Sequence, residues 1–307
     1  LSTLSAAGAP LNCVNFDPGA SSTGGTLDSA ANVWFAGGTT MYRYNPISMS
    51  TLAFPVGVSP LAITADGAGN VYFTAVAGST GSLYQLAAAA SASTAVVKVQ
   101  ISNLVGPNPA RLMADNTSAT STTVPGNIWV SSGSTFVSQV VPTVVAGAVT
   151  GWTTSPFTTS GNSNGIVLDH NSNVYVSGSD NSITQLARAG SSWALAANWP
   201  FTASTAGING PTGIAVDGRA NTWIPNSGNS SVSEISFFGP NALSPSTGFR
   251  KDPTFLNASK VTAIDQAGNV WIVGTGNSFV TEIVGSGVPV YAPYAVGIRV
   301  GRFQSIP

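Results

Sequence analysis

Six times along the chain an aspartate precedes an asparagine that is followed at once by a triplet centred on Trp or Tyr. The copies are Asp28 and Asn32 before Val33-Trp34-Phe35, Asp66 and Asn70 before Val71-Tyr72-Phe73, and Asp115 and Asn127 before Ile128-Trp129-Val130. They continue with Asp169 and Asn173 before Val174-Tyr175-Val176, Asp217 and Asn221 before Thr222-Trp223-Ile224, and Asp265 and Asn269 before Val270-Trp271-Ile272. Successive aspartates stand 38, 49, 54, 48 and 48 residues apart, a period long enough for one supersecondary unit per copy. The chain therefore reads as a repeat protein.

A short apolar run precedes each Asp and the aromatic triplet follows each Asn, so two strands flank a tight connection. The Asp is read as a turn-former whose carboxylate accepts backbone N–H groups. Ala31, Gly69, Ser172, Ala220 and Gly268, just before the Asn, tolerate left-handed geometry. A third strand is marked by Arg43-Tyr44, Gln85-Leu86, Gln139-Val140, Gln185-Leu186, Glu234-Ile235 and Glu282-Ile283, and a fourth is expected in the spacers, as at Val96 to Ile101 and Val145 to Trp152. No capped amphipathic helical period is present. Repeats of short strands without helices predict an all-β fold, a six-bladed β-propeller of four-stranded antiparallel blades. The organisation expected is an N-terminal segment at 1–20, the propeller at 21–287 and a tail at 288–307. Leu11 to Phe16 or the tail would supply the strand that closes the ring. A chain opening at Leu1 suggests a removed leader or a fragment, and the tail's ending suggests a natural end at Pro307.

Pro211-Thr212-Gly213-Ile214-Ala215-Val216-Asp217, leading to Asn221-Thr222-Trp223-Ile224, and Ala267-Gly268-Asn269-Val270-Trp271-Ile272 resemble the NHL-type propeller repeat in its virginiamycin B lyase-like, secreted bacterial variety. The resemblance spans about residues 21 to 287 and implies a fold shared by lyases, lactonases, binding proteins and structural modules. It also implies what catalytic members need: a histidine with a magnesium site held by acidic side chains in the lyases, and Glu, Asn and Asp ligands around one divalent ion in gluconolactonase-like propellers.

Against that requirement the ionisable inventory is thin. Only 7% of residues are charged, against about 25% in ordinary soluble domains. Six of the aspartates occupy the repeat position, and both glutamates, Glu234 and Glu282, take the third-strand position of the last two copies. The one histidine, His170, lies inside the turn Asp169-His170-Asn171-Ser172-Asn173 and reads as an exposed turn residue. That turn is also the best candidate calcium loop, although its spacing falls short of the oxygen set such a loop needs. No catalytic residue, metal or cofactor is expected on this count. Trp34, Tyr72, Trp129, Tyr175, Trp223 and Trp271 are assigned to packing between blades. Trp152, Trp193 and Trp199 fall outside the repeat and are the candidates for exposed ligand contact.

Net charge of -1 leaves no basic footprint for nucleic acid, and no uninterrupted apolar stretch of about 18 residues spans a bilayer. The lone Cys13 forms no internal disulfide. Low charge with abundant Ser, Thr, Asn and Gly suggests an extracellular or cell-envelope location. The function expected is a non-catalytic structural or interaction module of the cell surface. Its partners are a surface protein, a polysaccharide or copies of itself, joined into a filament or array by terminal strand exchange. Two alternatives stand beside it: a lyase or lactonase-like enzyme acting on a small molecule in the central channel, and a carbohydrate-binding module using Trp152, Trp193 or Trp199.

Overall fold

The structure, a computed structural model, describes residues 2–4, 10–13, 22–77, 79–86, 98–102, 105–109, 111–116, 125–202, 206–237, 239, 241–249, 255–265, 267–276 and 279–290. Among them there is no α-helix, and every sheet is antiparallel. A hairpin of β1 (Ser2–Leu4) and β2 (Pro10–Cys13) stands apart. The first large sheet is β3 (Ser22–Leu27), β4 (Val33–Gly37), β5 (Thr40–Asn45) and β6 (Ser50–Pro55), and the second is β7 (Pro60–Ala65), β8 (Val71–Ala77), β9 (Thr80–Leu86) and β10 (Lys98–Ser102). The third is β11 (Arg111–Asp115), β12 (Asn127–Ser134), β13 (Phe136–Val145) and β14 (Ala148–Thr158). In the fourth, β15 (Ser163–Leu168), β16 (Val174–Gly178) and β17 (Ser182–Ala189) are followed by β18 (Ser192–Leu195) and β19 (Phe201–Thr202), both paired with β17. The fifth is β20 (Ala215–Val216), β21 (Thr222–Asn226) and β22 (Ser231–Ile235), and the sixth is β23 (Ser259–Ile264), β24 (Val270–Gly274) and β25 (Val280–Ile283).

The first strands of successive sheets are neighbours: β3 packs on β7, β7 on β11, β11 on β15, β15 on β20 and β20 on β23. Among the described residues the expected four strands per sheet hold for the first three sheets, while the fourth sheet has five and the fifth and sixth have three each. In the fifth, the segment after β22 carries Pro240 and Pro245, which lack the N–H a strand must donate. Among the described residues a fourth strand is represented by two isolated bridges, Val232 to Phe249 and Ile235 to Ala242. The sixth sheet has three described strands. The segment Leu11 to Phe16 was one candidate to complete it. Its described part instead pairs with β1, while 14–16, the tail from 291 onward and the blade-three insertion at 117–124 lie outside the described residues.

The repeated turn has one construction. Asp28 N–H donates to the Asn32 carbonyl at 3.1 Å and the Asp28 carbonyl accepts from Ala31 N–H at 3.0 Å. Ala31, Gly69, Ser172, Ala220 and Gly268 carry the positive φ (62°, 83°, 60°, 62° and 79°) that closes it. The carboxylate then ties the turn to the second strand. Asp28 Oδ1 accepts from Ala30 N–H at 2.8 Å and Asn32 N–H at 3.0 Å, while Oδ2 accepts from Asn32 Nδ2 at 2.8 Å and Trp34 Nε1 at 2.9 Å. Asp66 and Asp169 repeat this with the hydroxyls of Tyr72 at 2.9 Å and Tyr175 at 3.3 Å. Burial pushes both carboxyls above the ordinary range, against the pull of these donors.

Strand register puts each aromatic opposite one third-strand polar residue: Trp34 faces Arg43, Tyr72 Gln85, Trp129 Gln139, Tyr175 Gln185, Trp223 Glu234 and Trp271 Glu282. Each ring but the last fills the space to the next sheet. Trp34 lies among Ile63, Val71 and Phe73, and Tyr72 among Leu112, Ile128 and Val130. Trp129 lies among Ile166, Val174 and Val176, Tyr175 beside Ile214 and Ile224, and Trp223 beside Val270 and Ile272. Each such ring buries on the order of 150–250 Å² of apolar surface, so the repeat supplies the inter-sheet core.

Candidate functional site

A cavity of about 910 Å³ lies between the described strands of the fifth and sixth sheets. Trp223, Phe249, Phe255, Leu256 and Phe279 form its apolar wall, and Glu282 is its ionisable residue. Trp223 stacks on Phe249 with centroids 5.8 Å apart and planes 22° apart, and Phe255 meets Phe279 at 6.0 Å and 49°. Two contacts hold the wall together. Phe249 exchanges backbone hydrogen bonds with Val232 (2.7 and 3.2 Å), and Thr281 Oγ1 donates to the Phe255 carbonyl.

Glu282 lines this cavity and Glu234 stands opposite its wall residue Trp223, and the surroundings of both follow from the repeat. In the second and fourth sheets the residue opposite the aromatic is Gln, whose Nε2 donates to the tyrosine hydroxyl, at 3.4 Å for Gln85 and 2.8 Å for Gln185. In the sixth sheet the aromatic is Trp271, a donor only, and its N–H is taken by Asp265 Oδ2 at 2.9 Å. Glu282 Oε1 is consequently buried with no hydrogen-bond partner among the described residues. In the fifth sheet the pattern breaks differently. Asp217 Oδ2 accepts from Asn221 Nδ2 at 3.1 Å and from the backbone N–H of Val288 at 3.1 Å, and the buried Trp223 Nε1 has no partner among the described residues. Asn221 Nδ2 also reaches Glu234 Oε1 at 3.4 Å. Burial, then the Asp217 charge, pushes the half-buried Glu234 carboxyl up to about 7. Glu234 lies directly across from the cavity-wall residue Trp223, about 5 Å away at Cβ as in any such pair.

Elsewhere the candidate residues are occupied. Asp180 is held by the hydroxyls of Ser160 at 2.6 Å and Ser182 at 2.5 Å, and Asp115 Oδ1 accepts from Ser172 Oγ at 2.7 Å. His170 is exposed on its turn, its Nε2 3.1 Å from Asn171 Nδ2. Trp193 and Trp199, expected at the surface, are each 7% exposed. Trp193 meets Trp129 edge to face at 5.3 Å and donates to the Ser172 carbonyl at 2.7 Å. Trp199 meets Tyr175 at 5.9 Å, and the partly buried Trp152 meets Tyr72 at 6.2 Å. All three pack on a repeat aromatic, because a Trp in the outer part of a sheet falls into the same inter-sheet gap.

The divalent ion implied by the resemblance finds no suitable donor set. Among the described residues no three Asp, Glu, His or Cys side chains converge, because the repeat aspartates are committed to their turns. The cavity was not foreseen from the sequence, although its carboxylate, Glu282, was visible there.

No family model matches the chain, and no curated protein matches it by sequence. Solved structures do match in shape. A streptogramin B lyase superposes with a TM-score of 0.66 at 13% identity, covering 92% of this chain and 85% of the other. A virginiamycin B lyase from Staphylococcus aureus gives 0.61 at 13%, covering 89% and 85%. A gluconolactonase from Xanthomonas campestris gives 0.54 at 15%, covering 82% of each. These similarities correct the expectation of a non-catalytic surface module: the three solved structures are enzymes by name. Scarce ionisable residues do not exclude catalysis, because proton transfer needs only one or two well-placed groups. At this level of identity the likeness establishes a β-propeller-type fold.

Proposed function

We propose that the chain is an enzyme of the lyase or lactonase kind that acts on a small, largely apolar molecule. The sheets are read as six blades around an axis. The reacting molecule is placed at the junction of blades five and six rather than in the central channel. One observation carries the reading: the 910 Å³ cavity has an aromatic wall bordered by Glu282, and Glu234 pairs across the sheet with its wall residue Trp223. Elimination and ester ring opening share one need, a group that accepts a proton and returns it at neutral pH. Glu234, with its carboxyl near 7, is that group, and Glu282 holds and orients the bound molecule. The low charge and Ser, Thr, Asn and Gly content support an extracellular or envelope location.

The test is a panel of lactones and macrocyclic esters, gluconolactone and a streptogramin B among them, followed by mass spectrometry. Gain of one water identifies a lactonase and an isomeric linear product identifies a lyase. Glu234→Gln is expected to lower turnover about 100-fold or more at pH 7.5. A panel left wholly untouched, or full activity in the variant, would contradict the proposal.

A further inference from the structure

The cavity wall and its carboxylate together define a ligand class, on the reading that this is the site. The rings of Trp223, Phe249, Phe255 and Phe279 present aromatic surface around the same space that Glu282 borders. An aromatic face attracts a cation through its quadrupole, and more strongly once water is excluded. Glu282 Oε1 is buried with no donor among the described residues, a costly state that a charged donor relieves and a neutral carbonyl does not. Glutamate also replaces the glutamine that the repeat carries at Gln85, Gln139 and Gln185. A negative charge has therefore been placed where the fold itself accepts an amide. We propose that the cavity takes a protonated amine carried on an apolar or aromatic body, with the ammonium between the rings and the Glu282 carboxylate.

Benzylamine and benzyl alcohol differ in charge at nearly constant shape, and both can donate a hydrogen bond. The full chain labelled with 5-fluorotryptophan, its Trp223 resonance assigned through Trp223→Phe, is titrated with each at pH 7.5 and followed by ¹⁹F NMR. Benzylamine is expected to shift the Trp223 signal and to bind at least about tenfold more tightly than the alcohol. Glu282→Gln is expected to erase that preference while keeping the fold, since Gln fills the equivalent place in three other sheets. Equal affinity for the two probes, or a preference unchanged in Glu282→Gln, overturns the amine assignment and leaves the cavity as a binding site. Failure of both probes to move Trp223 overturns the amine assignment and the placing of the site together.

Discussion

Replacing Glu234 by Gln isolates the energetic consequence of placing a carboxyl beside Asp217 and the buried Trp223. The carboxyl rises from 4.5 to about 7, which corresponds to about 3.4 kcal/mol between its two protonation states. Because the group is only half-buried, solvent screening reduces this to roughly 1.5–2 kcal/mol. The folded state holds the proton more tightly than the unfolded chain. The contribution to stability is thus complete below pH 4.5 and is lost as pH rises through about 7. Urea unfolding of wild type and Glu234→Gln at pH 4.5, 6, 7 and 8 measures it, since every other titrating group is shared and cancels in the difference. The variant should gain about 1.5–2 kcal/mol on wild type between the lowest and highest pH. Parallel pH profiles would refute the placing of a half-buried, Asp217-repelled carboxyl at this position.

Other outcomes follow from the same contacts. Asp169→Ala removes the acceptor of Asn171 N–H, Asn173 N–H, Asn173 Nδ2 and Tyr175 OH and should cost about 3–4 kcal/mol in chemical denaturation. In Gly81→Ala the new methyl would stand 2.1 Å from the Gly106 carbonyl oxygen, so the melting temperature should fall by several degrees. Asp180 is lowered below the usual carboxylate range because the Ser160 and Ser182 hydroxyls outweigh the effect of burial. Asp180→Asn should therefore destabilise the protein at neutral pH, with the difference closing as pH falls through the folded carboxyl's lowered pKa. Trp193→Ala should destabilise by about 3–5 kcal/mol without altering binding of benzylamine.

The repeat was legible because it is local: Asp, a small residue with positive φ, Asn and an aromatic lie within seven residues, and each acts on its neighbours. The six third strands were legible for the same reason, and the polar residue at each stands opposite the aromatic in the folded sheet. Strand completeness was not legible, because it depends on how the spacer after Ile235 meets its sheet, and among the described residues it does so through the isolated bridges Val232 to Phe249 and Ile235 to Ala242. Nor was the fate of Trp152, Trp193 and Trp199, whose burial arises from the packing of one sheet on the next. The raised proton affinity of Glu234 was not legible either, for an electrostatic reason. The sequence shows it as one third-strand residue among six, while its proton affinity is raised first by burial and then by the charge of Asp217, 17 positions away in the chain.

The pH dependence of kcat/KM on the best ester of the panel tests the central claim most directly. In wild type the account predicts activity governed by a single ionisation near pH 7, and in Glu234→Gln the loss of that limb along with most of the rate. The same limb persisting in the variant would place the chemistry elsewhere in the molecule.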